Sequence, residues 1–325
     1  MNKLINQIKL HRDIKDSTIK SYSSYLNKLS NIITGKPFRS RQFLLKKKDE
    51  ILEFLNDDTK VKSASDRRGY LAAILVAIAP EKSIPANKNF AKVYKLYNKL
   101  IKDVNNEYSK SIEDNTKTEK DKENWKSWDQ ILAIKNENNL KTKVLFESTK
   151  NIAKHCDRQQ VLQNAIISVY TLLPPRRLEY AEAILYSKSG YDSMLKKNDT
   201  QNLDNSVYCI LGLKRGFFHY GKNTTKSKTS KNVVIDIPNE LLNILKKYVK
   251  VFDLRVGSYL FQTLRGRKFS KNLFGKELRK MDVSVNILRK SYLSNKYGSG
   301  IEDQLQDALM MNHSKGVQQS VYVKV

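Results

Sequence analysis

The chain has 325 residues, 60 Lys and Arg against 33 Asp and Glu, and a formal net charge of +27. A hydrophobic fraction of 40% supplies packed cores, which excludes a disordered chain, and the length fits two domains. The longest apolar run, residues 71–79, is nine residues against the ~20 that span a bilayer, and the opening MNKLINQIKLHRDIK lacks the apolar stretch of a secretory signal.

Four helices are predicted in the first part. Ser17-Thr18 reads as a cap, followed by Ile19, Tyr22, Leu26, Leu29 and Ile33 at helical spacing. Ile51, Leu52, Phe54 and Leu55 mark a short second helix. A third runs over 65–79, with Tyr70, Leu71, Ile74, Leu75 and Ile78 on its apolar side, until Pro80 and Pro85 end it. A fourth covers 90–104, with Val93, Tyr94, Tyr97, Leu100 and Ile101 as its stripe. Together they predict a helical domain over 1–105. Residues 106–124 hold six acids, four bases and one aliphatic residue, the composition of a solvated linker.

A second domain over 125–325 begins at Trp125-Lys-Ser-Trp128, a hydrophobic lead into a capped helix. An apolar helix over 161–173 stops at Pro174-Pro175. The segments VYCILGL (207–213), GFFHY (216–220) and NVVIDI (232–237) read as three strands, the last two joined by the basic turn GKNTTKSKTSK. Pro238 opens a helix through 251, and Ser270 caps another containing Leu273, Phe274 and Leu278. Two more cover 285–297 and 301–311. The expected fold is mainly α (α+β): a helical N-terminal domain, then a mostly helical domain with a small three-stranded antiparallel sheet.

The charge excess draws polyanions, nucleic acid first and anionic membrane second. Only 14 of the 60 bases are Arg, so lysines dominate the sequence-tolerant contacts, and each Arg set in a motif is informative. The two cysteines, Cys156 and Cys209, read as free thiols in a reducing, intracellular setting. With no CxxC or HExxH pair, no zinc site is expected.

Four stretches of the second part form a set. In LLPPRRLEYAEAIL (172–185), Arg176 and Glu179 stand three apart at the expected start of a helix, an anion-binding position or an ordinary ion pair. The basic turn offers Lys222, Lys226, Lys228 and Lys231. VSVNILRKSYLSNKYG (283–298) embeds Arg289 among apolar residues, where a lone Arg would snorkel from a surface helix. ALMMNHSKGVQQSVYVKV (308–325) places His313 after an apolar helix and Tyr322 nine residues later.

In that order the set resembles the catalytic domain of the tyrosine recombinases, the phage-integrase family. Arg176 and Glu179 match its RxxE spacing, Arg289 the Arg of its HxxR, and MNHS its LGHS at His313. Tyr322 sits at its nine-residue interval. PPRRLEY and EKDKENWKSW are similar to recombinases of large DNA viruses and virophage-like mobile elements. The N-terminal helices, with STIKSY and RRGYLAAI, resemble the family's core-binding domain, which makes Arg67 and Arg68 candidate DNA contacts beside Lys222, Lys226 and Lys231. The chain departs from the family at Asn286, where His is usual and where no proton can be carried at neutral pH. Lys228 best matches the family's KT wording, with Lys226 and Lys231 as alternatives. Three residues follow Tyr322, where many relatives have a longer tail that docks on a neighbour.

The resemblance implies DNA integration or recombination through a 3′-phosphotyrosine intermediate, without metal or cofactor. Arg176, Arg289 and His313 would hold the phosphate, Lys228 would protonate the leaving oxygen, and Tyr322 would attack. It implies double-stranded DNA as partner, a homotetramer on two DNA sites, no membrane, and residence in a host cytoplasm or nucleus. A type IB topoisomerase, which uses the same nucleophile, and a catalytically inactive DNA-binding protein of the same fold are the competing readings. An RNA-binding protein is remote, because no RNP-like or KH-like motif occurs.

Overall fold

The computed structural model describes residues 2–113, 119–148, 152, 155–224, 231–297 and 310–311. The chain divides into two compact units, Met1–Asp114 and Asn115–Val325. No described helix is long and apolar enough to cross a membrane.

The first unit is all helix: α1 (Asn2–His11), α2 (Asp16–Thr34), α3 (Gln42–Lys46), α4 (Lys48–Asn56), α5 (Ala64–Ile78) and α6 (Lys88–Glu113). The α2 cap differs from expectation. The helix opens at Asp16, the cap position is Lys15 without a side-chain bond, and Gly35 closes the far end in the left-handed region that glycine adopts without strain. Ser63 caps α5, its hydroxyl accepting from the Asp66 amide at 3.1 Å. Because α5 is apolar nearly all round, it is the central helix, packed against α2 and α6. Its own Ile74 is fully buried, as are Leu29, Leu44, Ile51 and Tyr97 of the surrounding helices. Helix α6 continues well past 104, and a helix also occupies Glu119–Asn124, so much of the acidic stretch 106–124 is helical.

The second unit contains α7 (Glu119–Asn124), α8 (Trp128–Ser148), α9 (His155–Leu172), a 3-10 turn (Glu179–Glu182), β1 (Ala183–Tyr186), α10 (Lys188–Lys196), α11 (Thr200–Asn205), β2 (Val207–Leu211), β3 (Gly216–Tyr220), β4 (Val233–Ile237), α12 (Asn239–Val251), α13 (Lys271–Lys280) and α14 (Val285–Tyr297). A reciprocal box starts α8: the Ser127 hydroxyl accepts from the Gln130 amide, and the Gln130 side chain accepts from the Ser127 amide. Ser270 caps α13 as its sequence predicts. Both cysteines are free thiols, Cys156 exposed and Cys209 buried.

The sheet corrects the sequence expectation. It has four strands in the order β1-β2-β3-β4 and is mixed. β1 pairs parallel to β2, with Ala183 opposite Val207, and only β2, β3 and β4 form the antiparallel meander. Residues 183–186 form a strand rather than the tail of a helix because both of their edges are bonded. One edge meets β2, and the other meets the 257–260 segment through Leu185 N–H to Ser258 O at 2.9 Å and Leu260 N–H to Ala183 O at 2.7 Å.

Alternation along the strands splits two cores. Ala183, Cys209, Phe218, Tyr220 and Ile235 face the main core built with α9, α12 and α13. Tyr208, Ile210, Phe217 and His219 face the smaller layer of Tyr191, Met194 and Leu203, contributed by α10 and α11. There the His219 imidazole is buried between the Leu203 carbonyl (2.8 Å) and the Tyr191 hydroxyl (3.0 Å). Nε2 therefore donates to the carbonyl and Nδ1 accepts from the phenol. Burial lowers the His219 pKa from its ordinary value, favouring the neutral ring.

The unfolded chain takes up this proton more readily than the folded one. His219 thus lowers stability as pH falls from about 6.5 toward the depressed folded value, and has no such effect above 6.5. Urea midpoints should drop across that interval. His219→Gln, which cannot titrate, should flatten that part of the profile, and an equal slope in the variant would refute this assignment.

Candidate active site

The non-helical stretch 173–178 enters the site between α9 and the 3-10 turn. Arg176 is 1% exposed, Glu179 4% and Arg289 0%. Arg289 therefore does not snorkel from a surface helix; α14 turns it inward. Arg176 is not at a helix N-terminus, because only a four-residue 3-10 turn follows it, and it makes no ion pair with Glu179. The double proline breaks the chain here without starting a helix.

Breaking the helix frees carbonyls. Arg289 Nη1 donates to the Pro175 carbonyl at 2.9 Å, the residue just before Arg176. The same nitrogen reaches the Met311 carbonyl at 3.4 Å, and Arg176 Nη1 donates to the Met310 carbonyl. Two arginines 113 positions apart thus converge on consecutive carbonyls of one short segment. Met311, itself 1% exposed, packs with Leu293 and Tyr297 of α14 and so secures that segment.

Aromatic rings complete the surroundings. The Arg176 guanidinium lies 3.9 Å from the centroid of the Tyr220 ring, in cation–π contact. Tyr180 sits edge-on to Tyr170 at 5.1 Å and near Tyr220 at 6.0 Å. The Tyr170 hydroxyl donates to the Arg177 carbonyl at 2.6 Å. Burial raises the Tyr180 phenol to about 12 and lifts Tyr170 and Tyr220 well above 10. Glu179 pushes the same way, while Arg176 opposes it in all three. These phenols keep their protons and serve as packing and platform groups. The Glu179 Oε2 and Arg176 Nε atoms are buried without a hydrogen-bond partner among the described residues.

Burying a guanidinium costs several kcal/mol, since Arg cannot shed its proton. Charged hydrogen bonds to carbonyls return about 1.5–3 kcal/mol each, and a desolvated cation–π contact about 2 kcal/mol. The arrangement is therefore a pair of enclosed cations whose acceptors are backbone oxygens.

Other sequence candidates fall as follows. Asn286 is one turn before Arg289 on α14 and exposed. Lys222 pairs with Asp204 at 2.7 Å at the root of the basic turn, and Lys231 is exposed at the other root. Lys226, Lys228, His313 and Tyr322 lie outside the described residues. Arg67 is bound within its own unit, to the Leu55 carbonyl at 2.8 Å and Asp58 at 2.7 Å, and Arg68 lies over the Tyr108 ring at 4.4 Å. Sequence reasoning missed Tyr170, Tyr180 and Tyr220. The alternation of Phe218 and Tyr220 toward one sheet face was the available signal for the last.

No family model matches the chain, and no curated protein matches it. Among solved structures it is similar to one described as "Crystal structure of XerA recombinase", at 12% identity and a TM-score of 0.37, over 100% of this chain and 94% of that one.

Tyr220→Leu removes the ring beneath a buried cation and should lower the unfolding free energy of the second unit by about 2–4 kcal/mol. Tyr220→Phe keeps the face and should cost about 1 kcal/mol or less. Equal losses in urea titrations of the two variants would show that the ring face is immaterial.

Proposed function

We propose that this chain cuts and rejoins double-stranded DNA by transesterification in the manner of a tyrosine recombinase, with residues 1–105 as a core-binding domain, 106–124 as a connecting segment and 125–325 as the catalytic domain. The observation that supports it most is the convergence of Arg176 and Arg289 on the carbonyls of Met310 and Met311, two residues before His313. Carbonyl oxygens and phosphate oxygens are both acceptors. A scissile phosphate would take the carbonyls' place when the 310–311 segment withdraws.

In that reading the guanidiniums hold the two non-bridging oxygens, and their charge counts most as the phosphorane-like state gains negative charge in a low-dielectric pocket. His313 adds a donor to the same oxygens, and Asn286 offers a neutral one. The Tyr322 oxygen attacks phosphorus, forming the Oη–P bond as the bond to the 5′-oxygen breaks. That oxygen takes its proton from Lys228, with Lys226 and Lys231 as alternatives. An ordinary phenol has a pKa of ~10, so the cations also favour the attacking phenolate. The phosphotyrosine keeps the energy of the broken bond, and a second strand's 5′-hydroxyl reverses the step without ATP. Four protomers on two sites exchange strands, and the +27 charge draws the DNA in.

A suicide duplex that loses its short 5′ product should trap a covalent complex with wild-type protein. Peptide mass should map it to Tyr322, and Tyr322→Phe should bind DNA without forming it; an adduct on the Phe variant would refute the nucleophile. Arg176→Ala and Arg289→Ala should each slow cleavage by about 100-fold or more. Cleavage within tenfold of wild type would remove them from the phosphate site. Plasmid relaxation without two-site recombination would assign the chain to the type IB topoisomerases instead.

A further inference from the structure

Residues 88–102 hold five lysines and no acid. Lys88, Lys92, Lys95, Lys99 and Lys102 are spaced by four, three, four and three, which sets all five along one edge of α6. The opposite side sends Phe90, Val93, Tyr97 and Val104 into the core of the first unit, so the orientation of the helix is fixed. Asn87 caps it, accepting from the amides of Asn89 (3.0 Å) and Phe90 (3.2 Å). The five lysines are exposed, and among the described residues none pairs with a carboxylate. Elsewhere in this unit lysines do find partners: Lys9 has Asp16, Lys47 has Glu50 and Lys60 has Asp57. Beside Lys92 the edge runs into a groove of about 550 Å³ between α3 and α6, lined also by Lys46, Gln42 and Asn89.

Like charges at i,i+4 destabilise a helix, and no acid lies between Lys88 and Lys102; the first on α6 is Asp103, at the far end of the edge. Such an edge is suited to a polyanion. We propose that it is a track for the sugar–phosphate backbone of duplex DNA, contacted without regard to base sequence; the choice of DNA rests on the function proposed above. From Lys88 to Lys102 the edge is about 21 Å long at 1.5 Å per residue. Duplex DNA presents a negative charge about every 1.7 Å of its axis, so phosphates lie within reach along the whole edge. Lysines are flexible point charges suited to phosphate positioning rather than base readout. A membrane fits less well. Interfacial helices insert apolar side chains, and no large hydrophobic residue of α6 is exposed among the described residues.

The test uses the full chain and a random-sequence duplex, with affinity measured across a salt series. Lys92→Gln/Lys95→Gln/Lys99→Gln should weaken binding about tenfold or more at low salt and reduce the slope of log K against log salt by about 2–3, at ~0.9 per lost phosphate contact. A control of equal charge, Lys15→Gln/Lys36→Gln/Lys62→Gln, alters exposed lysines away from α6 and should move the slope by less than one unit. Circular dichroism melts verify folding, and if the triple variant melts early, Lys95→Gln alone should still remove about one unit of slope. An unchanged slope, or an equal loss in the control, overturns the proposal. So does loss of binding to phosphatidylserine vesicles with DNA binding intact. Covalent capture at Tyr322 is scored separately: adduct formation with an unchanged slope sinks the track alone, and a changed slope without any adduct sinks the recombinase reading alone.

Discussion

The second unit is organised around a charge that cannot be neutralised. An arginine keeps its proton at any pH the protein meets, so once Arg176 and Arg289 are taken out of water the chain has to deliver acceptors to them. The acceptors are carbonyls that ordinary secondary structure would have consumed. Had residues 174–178 continued as a helix, the Pro175 carbonyl would have been bonded to the Glu179 amide. Because two prolines interrupt the chain there, that carbonyl is open to Arg289. The same reasoning explains why β1 begins only a few residues later: the chain leaves the site extended, between β2 and the 257–260 segment.

Both buried arginines belong to a wider habit. Arg12, just after α1, donates to the Pro80 and Ala79 carbonyls beyond the end of α5, and Arg67 of α5 to that of Leu55 in the last turn of α4, so these arginines also bind carbonyls at helix ends. Arg67, expected from sequence to face DNA, has its Nε and one terminal nitrogen engaged in this way. Two guanidiniums, those of Arg176 and Arg289, go fully inside, where planar geometry counts. The many hydrated ammonium groups stay outside, where only charge density counts.

Much of this was legible in the sequence, for identifiable reasons. Helices α12, α13 and α14 and strands β2, β3 and β4 followed from Pro238, the Ser270 cap and β-branched or aromatic runs. Short elements were not legible: α3 and α11 have five and six residues, too few for a period to declare itself. β1 was hidden for a different reason. Ala183 to Tyr186 is apolar on both faces of the sheet, so its four residues show no polar alternation. The convergence of Arg176 and Arg289 was suggested by motif order alone. Nothing in local composition says that an arginine among apolar neighbours will be wholly enclosed rather than reaching for water.

The roots of the basic turn are fastened to one carboxylate. Asp204 binds the Lys222 ammonium at 2.7 Å and the Asn232 amide at 2.9 Å, and these contacts hold its carboxyl below the usual range. The Asn232 side chain also accepts from the Lys222 backbone at 2.7 Å. Gly221 passes so close to the Leu203 and Asp204 carbonyls that any Cβ there would collide with them. Both strand ends, at Lys222 and at Asn232, therefore answer to the one Asp204 carboxylate, and losing that group would remove an anchor from each of them at once.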